Sequence, residues 1–409
     1  MTGSMSGDML ELYVDLHRHP ELSGAEERTA ARVGGALDRA GFAVTSRVGG
    51  HGVVGRLRNG DGPVVLLRAE LDALPVRERT GLPYASTGPA MHACGHDLHL
   101  AALCGAAEAL SRSRDRWRGT VVAVGQPAEE TLTGAAAMLA DGLYTRWGRP
   151  DAALAQHLGP FPAGWVAHAR DTVTAGSAWL AVTVFGRGGH AGLPGAVSNP
   201  IPVAAAIVTR LGELFPAEPS TSDGVVLTIG AVRAGDRANV VADRATIRLT
   251  VRSLDSAALD RAVATVDAAV REICAAAGSP AEPEIVVTTR SAPGVNEPLA
   301  AERVRAAHVA TFGAARVLPV PPSMATEDFP LFGADATVPT VYWAVGSVSA
   351  AAWTRAPGAD FVEKLRSVPV NHSPEFAPDP VPTLRTATTA MLAGARALLD
   401  SLEETETPT

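Results

Sequence analysis

Three short stretches, PVVLLRAEL (63–71), GTVVAVGQ (119–126) and DAALAQH (151–157), are apolar at consecutive positions rather than at alternate ones. A strand of that kind hides both faces, as in a parallel sheet with helices packed on each side. Helical patterns lie around them: AEERTAARVGGALDRAG (25–41), ended by Gly41, and DLHLAALCGAAEALSR (97–112). Strand and helix alternating in this way predict an α/β fold with a doubly wound, mostly parallel sheet.

The middle of the chain follows another rule. In ATIRLTVRS (245–253), Ile247, Leu249 and Val251 alternate with Thr246, Arg248, Thr250 and Arg252. That is an antiparallel strand buried on one face. SAWLAVTVFG (177–186) and GVVLTIGAV (224–232) resemble its neighbours, and 198–215 and 256–278 read as two helices. The expected organisation is a catalytic domain in two parts, residues 1–173 and 291–409, around an inserted smaller α+β domain, residues 174–290. A long helix over 381–404 closes the second part, and the tail ETETPT is expected to fray.

Composition removes several classes of function. The 409 residues contain three cysteines, Cys94, Cys104 and Cys274, too few for a disulfide framework. They suit a reducing compartment, and the opening MTGSMSGDMLELY has neither the charged start nor the apolar core of a secretory signal, so a cytoplasmic protein is expected. No apolar run approaches bilayer length. A net charge of −8 without a basic block argues against nucleic acid. The sole lysine is Lys364, so a GxxxxGK[ST] phosphate loop is absent and lysine Schiff-base chemistry has one candidate position.

Against this background MHACGHDLHL (91–100) gathers three histidines, a cysteine and an aspartate into ten positions. It can be read as a metal site, as a cysteine nucleophile with a histidine base, or as a helix start that carries histidines. The placement of other polar residues favours metal. Asp72 follows the first strand, Glu129 and Glu130 follow the second, and His157 ends the third. Open parallel sheets bind ligands at the carboxyl ends of their strands, and the loop of Cys94 and His96 belongs at that edge. Thiolate, imidazole and carboxylate are common ligands of zinc and its neighbours. Adjacent glutamates repel unless a cation sits beside them. The economical division is one glutamate on metal and the other next to the activated water as general base.

The segments LHRHPELSGAEERTA, RAELDALPV, MHACGHDLH, GQPAEE, GRGGHAGLP, ANVVAD, TEDF and NHSPEF stand in an order spanning nearly the whole chain. In this the sequence resembles the amidohydrolase branch of the aminoacylase/carboxypeptidase metallopeptidase family, which includes hippurate hydrolases, indole-acetyl-amino-acid hydrolases and N-acetyl-diaminopimelate deacetylases. The resemblance implies that Cys94, His96, Glu130, His157 and His372 bind one or two divalent ions (zinc, manganese, cobalt or nickel). It makes Glu129 the general base and proton shuttle, Asp72 the residue that orients a ligand, and His190 the donor to the tetrahedral oxyanion. Asn239 and Arg252 become candidates to hold the substrate carboxylate, and Arg252 lies on the polar face of its strand independently of the resemblance. The implied substrate is a small N-acyl amino acid or amide, and the implied assembly is a homodimer through the inserted lid domain.

The chain departs from that branch at Glu70, where an aspartate is usual, and in NVVAD, where a proline usually follows the second apolar residue. Related two-metal enzymes bridge their ions with an aspartate. His96 takes that place here, which leaves the Cys94 thiolate as the bridge or a single ion firmly held. A dipeptidase or carboxypeptidase of the same family, a non-catalytic binding protein using the same cleft and a cysteine hydrolase are the competing readings. Cys104 and Cys274 read as core residues, His92 and His99 as helix-start or supporting residues, His19 as a turn residue, and His51 and His168 as ordinary surface histidines. GRGGHA fits a dinucleotide fingerprint, but the prolines of GLPGAVSNPIP forbid the helix that must follow.

Overall fold

The computed structural model describes residues 7–216, 224–334 and 337–399. The chain divides into two compact units. One ends at Val173 and resumes over Val295–Pro321 and from Asp328 onward; the other comprises Thr174–Gly294 and Pro322–Glu327.

The first unit is built on an eight-stranded sheet. Its centre is four parallel strands in the spatial order Gly119–Gln126, Val64–Glu70, Ala152–Pro162 and Thr340–Val348. The antiparallel hairpin of Ala43–Val48 and Gly52–Asn59 extends one side. Val166–His168, antiparallel to its neighbour, and Val317–Pro319 extend the other. Consecutive apolar residues face opposite ways: Val65 and Leu67 enter one core with the helices Glu27–Arg39, His96–Arg112 and Pro380–Leu399. Leu66 enters a second core with Met138, Phe329 and Phe332. Helices on both faces make the sheet doubly wound, as the unbroken apolar runs require.

After Val64–Glu70 the chain moves to the neighbouring strand on one side, and after Ala152–Pro162 it moves to the other side, to Val166–His168, leaving the place between for Thr340–Val348. The order of winding reverses between Val64–Glu70 and Ala152–Pro162, which is where an open α/β sheet offers a crevice. His157 does not end its strand: the strand runs on to Pro162, paired along its length with Thr340–Val348.

The second unit is a four-stranded antiparallel sheet ordered Val226–Ala234, Arg244–Ser253, Gly176–Phe185 and Glu284–Ser291. Ile247, Leu249 and Val251 form its core with Ile207 and Leu211 of helix Pro200–Leu214 and Leu259, Val266 and Val270 of helix Ser256–Ala276. Arg248 on the alternate face is exposed.

The final helix is Pro380–Leu399; the remainder of its expected span and the tail lie outside the described residues. No described helix is long and apolar enough to cross a membrane.

One histidine assignment is corrected. His168 is buried, not a surface residue. His308 Nε2 is 2.9 Å from the Ala390 carbonyl, so it carries the proton and donates. Its Nδ1 must then accept from His168 Nε2 at 2.8 Å. Both rings are neutral donors through Nε2, packed around Trp343.

Candidate active site

Where Val64–Glu70 ends, Leu71 N–H donates to the Gln126 carbonyl at 2.7 Å, and Asp72 follows fully buried. His96 Nδ1 donates to the Asp72 carbonyl at 2.9 Å. That bond takes up Nδ1, so Nε2 is the nitrogen whose lone pair a metal ion would take in place of a proton; it is buried without a hydrogen-bond partner and lies 3.9 Å from both Glu129 and Glu130 carboxylates. The Asp72 carboxylate accepts the Ser23 hydroxyl at 2.7 Å and the Glu130 backbone N–H at 2.9 Å.

Cys94 and His96 flank Gly95, whose φ of +86° no larger residue adopts cheaply. A Cβ there would also meet Leu158 Cδ1 at 2.7 Å. This turn starts helix His96–Arg112 and puts Cys94 Sγ 3.2 Å from His157 Nε2. His157 Nδ1 donates to the Leu158 carbonyl at 2.8 Å, so its Nε2 also presents a lone pair. His372 sits at φ +70°, with its N–H on the Ala93 carbonyl at 2.8 Å and its Nε2 3.5 Å from Glu130 Oε1. A non-glycine residue in that conformation costs about 1–3 kcal/mol, a strain typical of functional positions. Asn371 ties the same turn to the Cys94 carbonyl at 3.1 Å.

Cys94, His96 and His157 form one set whose ligand atoms all lie within 4.8 Å of one another; Cys94, Glu130 and His372 form a second, and His96, Glu129 and Glu130 a third. The thiol of Cys94 belongs to two sets. Electrostatics favour a cation here. Burial opposes charge on His96, yet the carboxylates of Glu70, Asp72 and Glu130 outweigh it and push the imidazole up to about 10. Burial likewise opposes charge on Glu130, but His372 and His96 hold its carboxyl below the usual range. Soft and hard donors, an imidazole nitrogen buried without a hydrogen-bond partner, and surplus negative charge fit a divalent transition metal.

A supporting layer lies behind these residues, of which the sequence reading anticipates only His99. His99 Nδ1 donates to Glu70 at 2.8 Å, while its Nε2 accepts the Leu158 N–H at 3.0 Å, so neither nitrogen is left to bind an ion. Burial, the largest influence, brings the ring down to about 4, in keeping with the neutral form. Glu70 also pairs with Arg68, which is fully buried and donates to Asp328 at 3.0 Å. Glu70 is therefore the join between a buried ion network and the strand of His157. The sequence marks it only as a departure from an expected aspartate.

Of the ten candidate residues, seven converge in the first unit: Asp72, Cys94, His96, Glu129, Glu130, His157 and His372. The other three belong to the second. His190 lies in a two-stranded ribbon opposite Val240, and Ala191 N–H donates to the Asn239 carbonyl at 3.2 Å, so His190 and Asn239 are neighbours. His190 Nδ1 accepts the Gly192 N–H at 2.9 Å. Arg252 is half-buried and donates to the Met324 carbonyl at 2.9 Å.

A doubly wound sheet with this donor set at its switch point defines a metal-dependent hydrolase. More narrowly, residues 66–367 match the model of Peptidase family M20/M25/M40, and the chain belongs to that family. It is 33% identical over 326 residues to YhaA of Bacillus subtilis (strain 168), an amidohydrolase by name, covering 79% of this chain and 81% of that protein. It is 35% identical over 255 residues to the hippurate hydrolase of Campylobacter jejuni, covering 62% and 66% of the two chains. The crystal structure of Bacillus subtilis YxeP, described as a dinuclear metal-binding peptidase of the M20 family, superposes with a TM-score of 0.74 at 26% identity over 97% of this chain and 98% of that one. The protein is a metal-dependent hydrolase acting on amide bonds.

Proposed function

We propose that the chain hydrolyses N-acyl amino acids or closely related small amides, with Cys94, His96, Glu130, His157 and His372 as metal ligands and Glu129 as general base. The observation that carries this reading is the meeting of two ligand sets at Cys94, with Glu129 on their margin. The thiol of Cys94, common to both sets, would serve one ion or two, and zinc, manganese, cobalt and nickel all accept this mixture of donors. Bound there, such ions supply Lewis acidity at the scissile carbonyl and make water acidic enough to attack near neutral pH.

The side chains do the rest. Glu129 takes the proton released as water attacks and returns it to the leaving amine nitrogen, so one carboxylate serves both halves of the reaction. Asp72 holds His96 in the tautomer that presents Nε2. With Nδ1 engaged as an acceptor, His190 has its proton on Nε2 and offers it to the tetrahedral oxyanion. Asn239 and Arg252 are assigned to the substrate carboxylate. Burial disfavours the Arg252 charge, and a bound carboxylate would relieve that cost.

The inserted unit is assigned the roles of lid and homodimer interface. A cytoplasmic location is in keeping with three cysteines, none of which forms a disulfide.

The test is hydrolysis of N-acetyl and N-benzoyl amino acids and matched dipeptides by chelator-treated protein, reloaded with zinc, manganese, cobalt or nickel. Activity should return only on reloading, with N-acyl amino acids preferred over dipeptides. Glu129→Ala should bind metal normally and lose about 10²–10⁴-fold in kcat. Turnover indifferent to chelation and abolished by alkylation would point to a cysteine hydrolase instead.

A further inference from the structure

The connection between helices Gly7–Arg18 and Glu27–Arg39 carries none of the chemistry assigned above, yet it reaches the site at several points. The Glu21 carbonyl accepts the Ala73 N–H at 2.8 Å, which lays the connection against the end of the central strand. Ser23 donates its hydroxyl to Asp72 Oδ2 at 2.7 Å. Glu26 is fully buried, and its Oε1 accepts the Ala128 N–H at 2.8 Å.

The last contact is the unexpected one. Burying a carboxylate is costly, and Glu26 keeps one oxygen, Oε2, buried without a hydrogen-bond partner. Ala128 explains the placement. It stands at φ +50°, immediately before the two glutamates, and its carbonyl accepts from both Thr133 and Gly134 N–H groups at 3.2 Å. On the far side of Glu129, the Glu130 N–H is held by Asp72 at 2.9 Å. The amides just before and just after Glu129 are thus each fastened to a carboxylate, Glu26 and Asp72, and Ser23 anchors the second to the connection that carries the first.

We infer that Ser23 and Glu26 are positioning residues that hold the Glu129–Glu130 turn in its working geometry, Glu26 through the Ala128 amide and Ser23 through Asp72. Neither touches substrate. The constraint is needed because two adjacent carboxylates repel, and a free turn would let them part. This inference rests on the roles proposed above for Glu129 and Glu130.

The test uses the full-length protein stripped of metal. Manganese is titrated by calorimetry into wild type, Ser23→Ala, Glu26→Ala and Glu26→Gln; kcat and KM are then measured on the best N-acyl amino acid. Ser23→Ala and Glu26→Ala should each weaken manganese binding about tenfold or more and lower kcat by a similar factor with little change in KM, as loss of ligand-supporting groups does. Glu26→Gln should recover most of both, because an amide oxygen can still accept the Ala128 N–H. A purely structural role would lower the folded fraction while leaving the dissociation constant of the folded protein unchanged, and that result overturns the proposal. So does a Glu26→Gln variant as impaired as Glu26→Ala. If Glu26→Ala does not fold, Ser23→Ala, which removes one hydroxyl at a half-buried position, decides alone. Were the wild type to bind manganese but cleave no amide, the substrate reading would fail while the titrations still judged the brace.

Discussion

Acid should destabilise this protein through one hydrogen-bonded pair of histidines. Burial is the main cause that holds His168 at about 3 and His308 at about 4, against an ordinary 6.5. The geometry requires neutral rings: a proton added to His308 Nδ1 would confront the His168 N–H that now donates to it. Because both folded-state values lie below 6.5, the unfolded chain binds protons first. The stability owed to this pair is complete above 6.5 and is lost as pH falls toward the folded values. Between about pH 7.5 and pH 5 each unfolded histidine gains about 2 kcal/mol from protonation that the folded one does not, or about 4 kcal/mol for the pair. His308→Gln keeps an acceptor for His168 and a donor for the Ala390 carbonyl but cannot titrate in this range. The assay is urea unfolding followed by tryptophan fluorescence, since Trp343 packs against both rings. On going from pH 7.5 to 5, His308→Gln should lose about 2 kcal/mol less stability than wild type, and the double variant with His168→Gln about 4 kcal/mol less. Parallel pH dependences in all three proteins would refute the reasoning.

Two further outcomes follow from the site. Gly95→Ala forces a side chain into φ +86° and against Leu158, so it should destabilise the apo protein by about 1–3 kcal/mol and weaken metal binding, read by urea unfolding and calorimetry. Arg68→Met leaves Glu70 and Asp328 buried without their cation and should cost about 3–5 kcal/mol in the same unfolding assay; a change below 1 kcal/mol would show that the network contributes little.

The centre of the first unit is legible in the sequence because its strands are buried on both faces, which leaves no polar alternation to confuse the reading. Arg248 and its alternating neighbours are equally plain in the second unit. The strand Glu284–Ser291 is not, since it lies at a sheet edge where Val286 and Val287 remain 43% exposed and the pattern blurs. The hairpin of Ala43–Val48 and Gly52–Asn59 is obscured too, its first strand interrupted at Arg47 with φ +63°. The ligand candidates are readable because cysteine, histidine and paired glutamates are chemically conspicuous at strand ends. What supports them is not. Apart from His99, which its place at the helix start suggests, the supporting residues Ser23, Glu26 and Glu70 act through partners between 29 and 102 residues away, a separation that only the folded chain closes. The same holds for His168, whose burial depends on His308, 140 residues on.

The sulfur of Cys94, like His96 and Glu130, is shared by more than one set of ligand atoms, and of these it is the readily oxidised one. An oxidant that converts this one thiol to a sulfenic or sulfinic acid removes a donor from both of its sets at once, whereas damage to His157 or His372 would reach only one. With the ligand role proposed for Cys94, bound metal would protect its thiolate, so metal starvation and oxidative stress would reinforce each other in inactivating the protein.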